Sequence, residues 1–388
     1  MINKVIYLDH NSTTPLAPQV LEAMLPYLKD KYGNASSIHA KGREAREGVD
    51  WARNIVASTL GIAPEDLVFT SGGTEADNFA IKGIALANSD KGKHIITSKI
   101  EHPAVLNTCQ FLEKMGYEVI YLGVDKYGRV SPEDVKKAIK ENTILVSIMY
   151  ANNEVGTIQP IAEIAKVTKE KGIPFHTDAV QALGKIAFRV EDLGVDLLSV
   201  SGHKIYGPKG VGALYIRKGV KIFPHQHGGH HERSLRAGTE NVAGIVGFGR
   251  AVELMRENFA EKNERIKELR DKLHQGLFKE LDNLHLNGHL DSRLPNTLNL
   301  GFEFVEGESL IINFDLKGIC ASTGSACTSG SLEPSHVLTA MGISPQIAQG
   351  AVRFSLGEVN TEEDINYCLE VIPPIVKRLR EMSPLKNR

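Results

Sequence analysis

Cysteine is scarce. The chain of 388 residues has four, Cys109, Cys320, Cys327 and Cys368, and no Cys-x-x-Cys pair. That excludes a disulfide scaffold and fits a reducing cytoplasm, where a free thiol can be kept for chemistry. Neither sign of charge dominates, the formal net charge being -2 at pH 7, so nothing in the balance points to nucleic acid or a membrane surface as a partner. No apolar run approaches the length of a membrane span. The amino-terminal MINKVIYLDHNSTTP has an apolar stretch of only three residues, and we expect neither a signal peptide nor a targeting segment. Internal repeats and low-complexity tracts are also missing. What remains, 42% hydrophobic and 24% charged residues, is the composition of a soluble globular enzyme, long enough for a large core in two or three domains.

Along the chain, strand and helix signals alternate. LAPQVLEAMLPYLKD reads as a helix with Pro near its start, and a second helix runs from about Ala40 to Leu60, with Val49, Ala52, Ile55, Val56 and Leu60 at helical spacing. DLVFTSGGTEADNFAIKGIALA follows as strand, glycine turn and a helix beginning near Thr74. HIITSK, YEVIYLGV, TILVSIMY and PFHTDAVQ read as further strands, with helices between them. Such alternation predicts a parallel or mixed sheet covered on both faces. From Thr239 to about Leu281 the pattern is helical throughout. Beyond it, NTLNLGF and AVRFSLG are strands and Glu308–Leu316 and Thr361–Arg380 helices, which we read as a second, smaller unit.

The stretch that organises the rest is SVSGHKIYGPKGVG, Ser199 to Gly212, centred on Lys204. Most lysines are solvated surface residues. This one sits in a glycine-rich turn between two apolar runs, beside His203 and Ser201, where a lowered pKa and Schiff-base chemistry are available to it. A phosphate-binding P-loop is excluded because the pattern needs Gly-Lys-Ser/Thr at its end, and the chain has Gly207, Pro208, Lys209, Gly210. In a covered sheet, polar residues at the carboxyl ends of strands line the ligand crevice. Thr74, His102, Asn153, Asp178, Gln181 and Lys204 should therefore share one cleft, and the turn before Thr74 offers helix N-terminal N–H groups to a phosphate. A buried carboxylate at Asp178 would keep a cofactor ring nitrogen protonated, as pyridoxal phosphate enzymes need alongside their lysine. Taken singly, Asp178 could simply cap the next helix, and His102 before Pro103 could be a helix start.

In the second unit, Ala321 to Ser331 reads ASTGSACTSGS, eleven small residues around Cys327 that cannot build a core. Its thiol is therefore expected to be available for chemistry, whereas Cys109 and Cys368, on helical patterns, read as small buried hydrophobes and Cys320 as structural. Arg353 lies on an apolar strand, where an unpaired charge is costly, so it should have an anionic partner; a substrate carboxylate suits its fork. PHQHGGHHE, with His225, His227, His230, His231 and Glu232, could in isolation bind a transition metal, but its spacing matches no metalloprotease pattern and it reads as a loop near the cleft.

Together these motifs resemble the cysteine desulfurases of the nitrogen-fixation and iron-sulfur-assembly (NifS/IscS) type, in the class V aminotransferase group of fold type I pyridoxal phosphate enzymes. The resemblance runs through LDHNSTTP, TSGGTEADN, EHPAV, ANNEVGTIQP, HTDAVQ, SGHKIYGPKG, HERSLRAGTEN, TGSACTSGSLEPSHVL and RFSLG. It implies an α/β fold with a large, mixed, mostly parallel sheet domain over 16–260. A smaller α+β domain would comprise 1–15 and 261–388 and carry the cysteine loop at about 321–331. It further implies that Lys204 holds pyridoxal 5'-phosphate as an imine, that Asp178 pairs with the ring nitrogen and that His102 stacks on the ring. Gln181 and Asn153 would contact the phenolic oxygen or substrate, and Gly73, Thr74, Ser201 and His203 would hold the phosphate, with Thr239 supplied by the second subunit of a homodimer. Arg353 and Asn153 would bind substrate. Cys327 would take sulfur from L-cysteine as a persulfide, leaving alanine, and deliver it to an iron-sulfur scaffold or other acceptor. A selenocysteine lyase or another class V enzyme would share the lysine and aspartate but not depend on Cys327. Members of the family often have Ala where this chain has Ser12, and a third glycine where it has His230; neither difference is expected to touch a residue assigned to chemistry.

Overall fold

The computed structural model describes residues 5–323 and 334–383. Among these residues twelve strands form three sheets. In chain order they are β1 (Ile6–Tyr7), β2 (Leu67–Thr70), β3 (His94–Ser98), β4 (Glu118–Leu122), β5 (Thr143–Ser147), β6 (Phe175–Asp178), β7 (Leu197–Ser201), β8 (Gly212–Ile216), β9 (Leu284–Asn287), β10 (Thr297–Phe302), β11 (Ile319–Cys320) and β12 (Ala351–Ser355). The seven-stranded sheet has the order β2-β8-β7-β6-β5-β3-β4. Its pairs are parallel except those that β8 makes with β7 and β2.

Both faces of this sheet are buried, and side-chain alternation assigns each residue to a face. Leu198, Val200, Ala213 and Tyr215 join a core with helices Ala40–Leu60 and Val242–Arg256. Their neighbours Leu197, Leu214 and Ile216 join the opposite core, with Phe79, Ala80 and Ile84 of helix Gly73–Ala87 and Val105 and Leu112 of helix Pro103–Lys114. A strand buried on both faces reads as a continuous apolar run, which is why VDLLSV and TILVS are legible in the sequence.

A third core gathers Ile6 and Leu8 with residues from Ile266 to Val376, around the antiparallel sheet β12-β10-β9 and the β1-β11 pair. The chain enters it twice, since the amino-terminal strand pairs with β11 and Ser355 receives an isolated bridge from Asp9.

The helical stretch expected from Thr239 to Leu281 is two helices, Val242–Arg256 and Phe259–Glu280. Asn258 breaks it with φ +51°, a left-handed conformation that asparagine tolerates better than other side chains. Helix Glu362–Met382 keeps Pro373 and Pro374 inside it and begins with a capping box between Thr361 and Asp364. No helix among the described residues is long and apolar enough to cross a membrane.

Candidate active site

The carboxyl ends of the parallel strands deliver the polar residues to one crevice, as the topology requires. β2 runs through Ser71 and Gly72 into helix Gly73–Ala87, β3 leads to Glu101 and His102, β5 to Asn152 and Asn153, β6 ends on Asp178, and β7 runs into His203 and Lys204. Across these ends lies the segment after β1. Lys204 Nζ donates to the carbonyls of Asn11 at 2.5 Å and Ser12 at 2.8 Å, and Thr14 donates from both its backbone N–H and its hydroxyl to the His203 carbonyl.

Asn11 joins the two parts of the molecule. Its carbonyl also accepts from Gln181 Nε2 at 2.9 Å, and its Nδ2 donates to the Asn153 carbonyl and to Thr297 Oγ1. Its Oδ1 accepts from Asn296 Nδ2 at 3.0 Å, and its N–H donates to Ser355 Oγ. Its only mark in the sequence is a run of hydrogen-bonding residues directly after the apolar IYL.

Electrostatics in the crevice follow from burial. Asp178 is pushed up to about 6 by desolvation, opposed by the Val180 N–H bonded to its Oδ1 at 2.9 Å and by the positive Lys204. It therefore also caps the following turn. Behind it, Asp77 on helix Gly73–Ala87 is raised well above the usual carboxylate range by burial and then by Asp178, against a hydrogen bond from Ser199. His176, held down to about 3 by burial, is neutral and bridges Ser147 Oγ at 2.8 Å and Ser199 Oγ at 3.0 Å. Glu101 is pushed up to about 8 by burial despite donors from Ser98 Oγ and Met149 N. Of these acids, Asp178 has a cation, Lys204, beside it and is the least raised.

His102 serves two purposes. Its Nδ1 accepts from Ala104 N at 3.1 Å, capping the helix that starts at Pro103. Because burial first, then Lys204 and His336, hold its pKa down to about 4, the ring is neutral at pH 7 and its proton sits on Nε2.

The turn at Gly72 is a cradle for an anion. Gly72 has φ +150°, outside the range of ordinary side chains, and a Cβ at Gly212 would stand 2.8 Å from Gly72 Cα, so the pair can only be glycines. The turn opens a 15-residue helix whose first N–H groups are unpaired by geometry. Beside it, Ser201 Oγ is buried with no hydrogen-bond partner among the described residues, a donor suited to a phosphate oxygen. His203, held down to about 4 by burial and neighbouring lysines, is tied to Thr13 Oγ1 at 3.2 Å. An aldehyde-bearing pyridine phosphate fits these residues: an amine, a buried carboxylate, a neutral imidazole and an anion cradle stand together.

Thr74 and Thr239 are exposed. Thr239 ends a segment fastened beside β2. There Glu232 accepts from both Nη atoms of Arg53 and from Phe69 N, and Arg236 makes a two-pronged pair with Glu75. Glu232, Arg233 and Ser234 all have positive φ. The histidines of this segment disperse: His225 stacks on Phe79, His230 meets Ser234 Oγ, and His231 accepts from Gly238 N.

Arg353 finds the anionic partner expected of it, Asp9 at 2.7 Å, and also donates to Ser12 Oγ at 2.8 Å and the Asn153 carbonyl at 2.9 Å. Its Nε is buried without a partner among the described residues. The expectation that Ser12 touches no residue of the chemistry is corrected: its hydroxyl meets Arg353 and its carbonyl meets Lys204. Cys327 lies outside the described residues. The described residues on either side of its segment are tied to the crevice walls. Ser322 exchanges backbone hydrogen bonds with Arg353, Ser335 Oγ donates to buried Glu154 at 2.5 Å, and His336 Nε2 donates to the Glu101 carbonyl at 3.0 Å. Cys109 and Cys368 are fully buried and pushed up to about 12, so neither is a reactive thiol.

Known proteins match this chain along nearly its whole length. The Aminotransferase class-V family matches residues 6–368. A cysteine desulfurase IscS of Methanosarcina thermophila is 57% identical over 99% of this chain and 95% of its own length. One from Dictyoglomus turgidum is 55% identical over 100% and 98%. Among solved structures, a NifS-like protein superposes with TM-score 0.92 at 44% identity, covering 97% of this chain and 100% of that one. SspA in complex with cysteine gives TM-score 0.80 at 40% identity, covering 92% and 100%.

Proposed function

The chain belongs to the aminotransferase class-V family, and we propose that within it the protein is a pyridoxal phosphate-dependent cysteine desulfurase. It would convert L-cysteine to L-alanine and pass the sulfur on for iron-sulfur cluster assembly. The observation that carries this reading is the convergence of Lys204, Asp178 and neutral His102 on one crevice, in a chain more than half identical to cysteine desulfurases over its whole length.

Bound pyridoxal phosphate would supply an electron sink for the charge left when the substrate's α-proton is removed. Lys204 would hold the cofactor covalently and, once released by substrate, move the proton at the α-carbon. Asp178 would keep the ring nitrogen protonated, and its partly compensated charge suits that role. His102 would lie against the ring with its Nε2 proton available. Gln181 and Asn153 would address the phenolic oxygen and the substrate. Gly73, Thr74, Ser201 and His203 would hold the phosphate, joined in a homodimer by Thr239 of the partner subunit. Arg353, with its buried Nε unused, would receive the substrate carboxylate.

Cys327 would then act as nucleophile. Its thiolate attacks the substrate sulfur and forms an S–S bond, while the C–S bond breaks with its electron pair left on carbon. That carbon takes a proton and leaves as alanine. The persulfide on Cys327 is what an iron-sulfur scaffold or another acceptor would receive, and a reducing cytoplasm is the compartment that suits it. The first and third cores described above support dividing the chain into 16–260 and 1–15 with 261–388.

Replacing Cys327 by Ala tests the assignment. Alanine and sulfide release from cysteine should fall at least a hundredfold while the visible band of the bound cofactor persists; unchanged release would point to another class V chemistry.

A further inference from the structure

We propose that Lys185 is a positioning residue of this active site, fixing the orientation of the Gln181 amide and the place of Asn11, and through Asn11 the place of Lys204. The proposal rests on the reading that Lys204 and Gln181 hold the cofactor.

Lys185 stands four residues after Gln181, beyond the turn that leaves Asp178. Its Nζ donates to Gln181 Oε1 at 2.7 Å and lies 3.5 Å from Asn11 Oδ1. The other end of the same amide, Gln181 Nε2, donates to the Asn11 carbonyl, which also accepts from Lys204 Nζ. A carbonyl can only accept, so Nε2 must face Asn11, and Oε1 must then face the lysine amine. The Asn11 carbonyl thus sets which way the Gln181 amide points, Lys185 pins its other end, and the remaining N–H is the group it can offer to the crevice. Without it, Oε1 is left without its donor, and the amide is held at one end only.

The surroundings of the amine argue against an incidental role. Burial first, then the positive charges of Lys204 and Arg353, hold Lys185 well below the usual lysine range. His10 and His203 also feel its charge, and the acid nearest this group, Asp9, is already paired with Arg353. An amine kept in such company costs stability unless its hydrogen bonds are used. Here both lead to the groups that grip Lys204. Asn11 is used to capacity by the contacts already described, so a shift of Gln181 is passed to Lys204 directly rather than absorbed.

The test uses the full-length protein, freed of cofactor and titrated with pyridoxal phosphate, with two readouts: the dissociation constant and the pH midpoint of the visible absorbance band. K185M should weaken binding about tenfold and move the midpoint by half a pH unit or more. In a Q181L background the same change should cost less than twofold, because the route through Gln181 is already cut. If K185M does not fold, K185Q, whose side chain stops one bond short of the amine, takes its place with the same expectation. Binding within twofold of wild type with an unmoved midpoint overturns the proposal, as does a loss of equal size in both backgrounds. A wild-type protein that shows no visible band would instead refute the assignment of Lys204, so the two failures are distinguishable.

Discussion

Glu232 should be among the most costly side chains to remove outside the hydrophobic cores. Glu232 and Arg53 are each 8% exposed. The pair is two-pronged, Phe69 N donates to the same carboxylate at 2.9 Å, and Arg53 stacks over the Phe69 ring. In Glu232→Ala the guanidinium stays buried without its counter-charge, which costs about 3–5 kcal/mol, and the Phe69 N–H loses its acceptor, about 1–3 kcal/mol more. Retained bonds, such as Arg53 to the Leu67 carbonyl at 2.6 Å, keep the sum toward the low end, about 4 kcal/mol. At roughly 2–4 °C per kcal/mol for a domain of this size, Tm should fall by about 8–16 °C. The double variant Arg53→Met with Glu232→Leu should recover most of the loss, because two apolar groups leave no charge stranded. Thermal and urea melts of the three proteins decide the matter. Glu232→Ala within about 1 kcal/mol of wild type, or a double variant as damaged as the single one, would refute the reasoning. Since the same segment runs on to Thr239, cofactor affinity should fall in Glu232→Ala and return in the double variant.

Glu154, raised to about 7 by burial, should leave a signature in stability against pH. The folded protein holds this proton more tightly than the unfolded chain does, so its contribution is complete below about pH 4.5 and lost as pH rises through about 7, in all about 3 kcal/mol. Glu154→Gln should flatten the stability profile between those limits, and an unchanged slope in urea melts would contradict it. Gly72→Ala, placing a side chain at φ +150°, should weaken pyridoxal phosphate binding at least tenfold in a fluorescence titration. His102, held down to about 4, should show no imidazole titration between pH 5.5 and 9 in NMR spectra. His102→Gln should keep the visible band while slowing alanine release from L-cysteine about tenfold or more, because the Nε2 proton held at the ring is lost.

The large sheet was legible in the sequence because all its strands except the edge strand β4 are buried on both faces and so appear as apolar runs bounded by turns. β9 was not: LHLN alternates polar and apolar over four residues and is a strand only because β10 lies beside it. The break at Asn258 was written in a residue tolerant of positive φ, but a single asparagine in a charged helical pattern is a weak mark. In the crevice, Lys204, Asp178 and His102 declared themselves by residue type and by position after strands. Asn11, Ser12, Lys185 and Asp77 did not, because their roles are made by contacts between distant parts of the chain, Asn11 with Thr297 and Lys204 above all. Arg353 fell between these cases: burial on an apolar strand demanded an anion, but only the fold shows that Asp9 fills that need.

The central claim is that Lys204 carries pyridoxal phosphate and that sulfur leaves L-cysteine for Cys327. Mass spectrometry of the holoenzyme after one turnover with L-cysteine, without reductant, tests it most directly. The peptide containing Cys327 should gain one sulfur atom, about 32 Da, matched by one alanine per subunit, and Lys204→Ala should abolish both. Alanine formed in full with no added sulfur on Cys327, or sulfur acquired equally by the Lys204→Ala protein, would contradict the account.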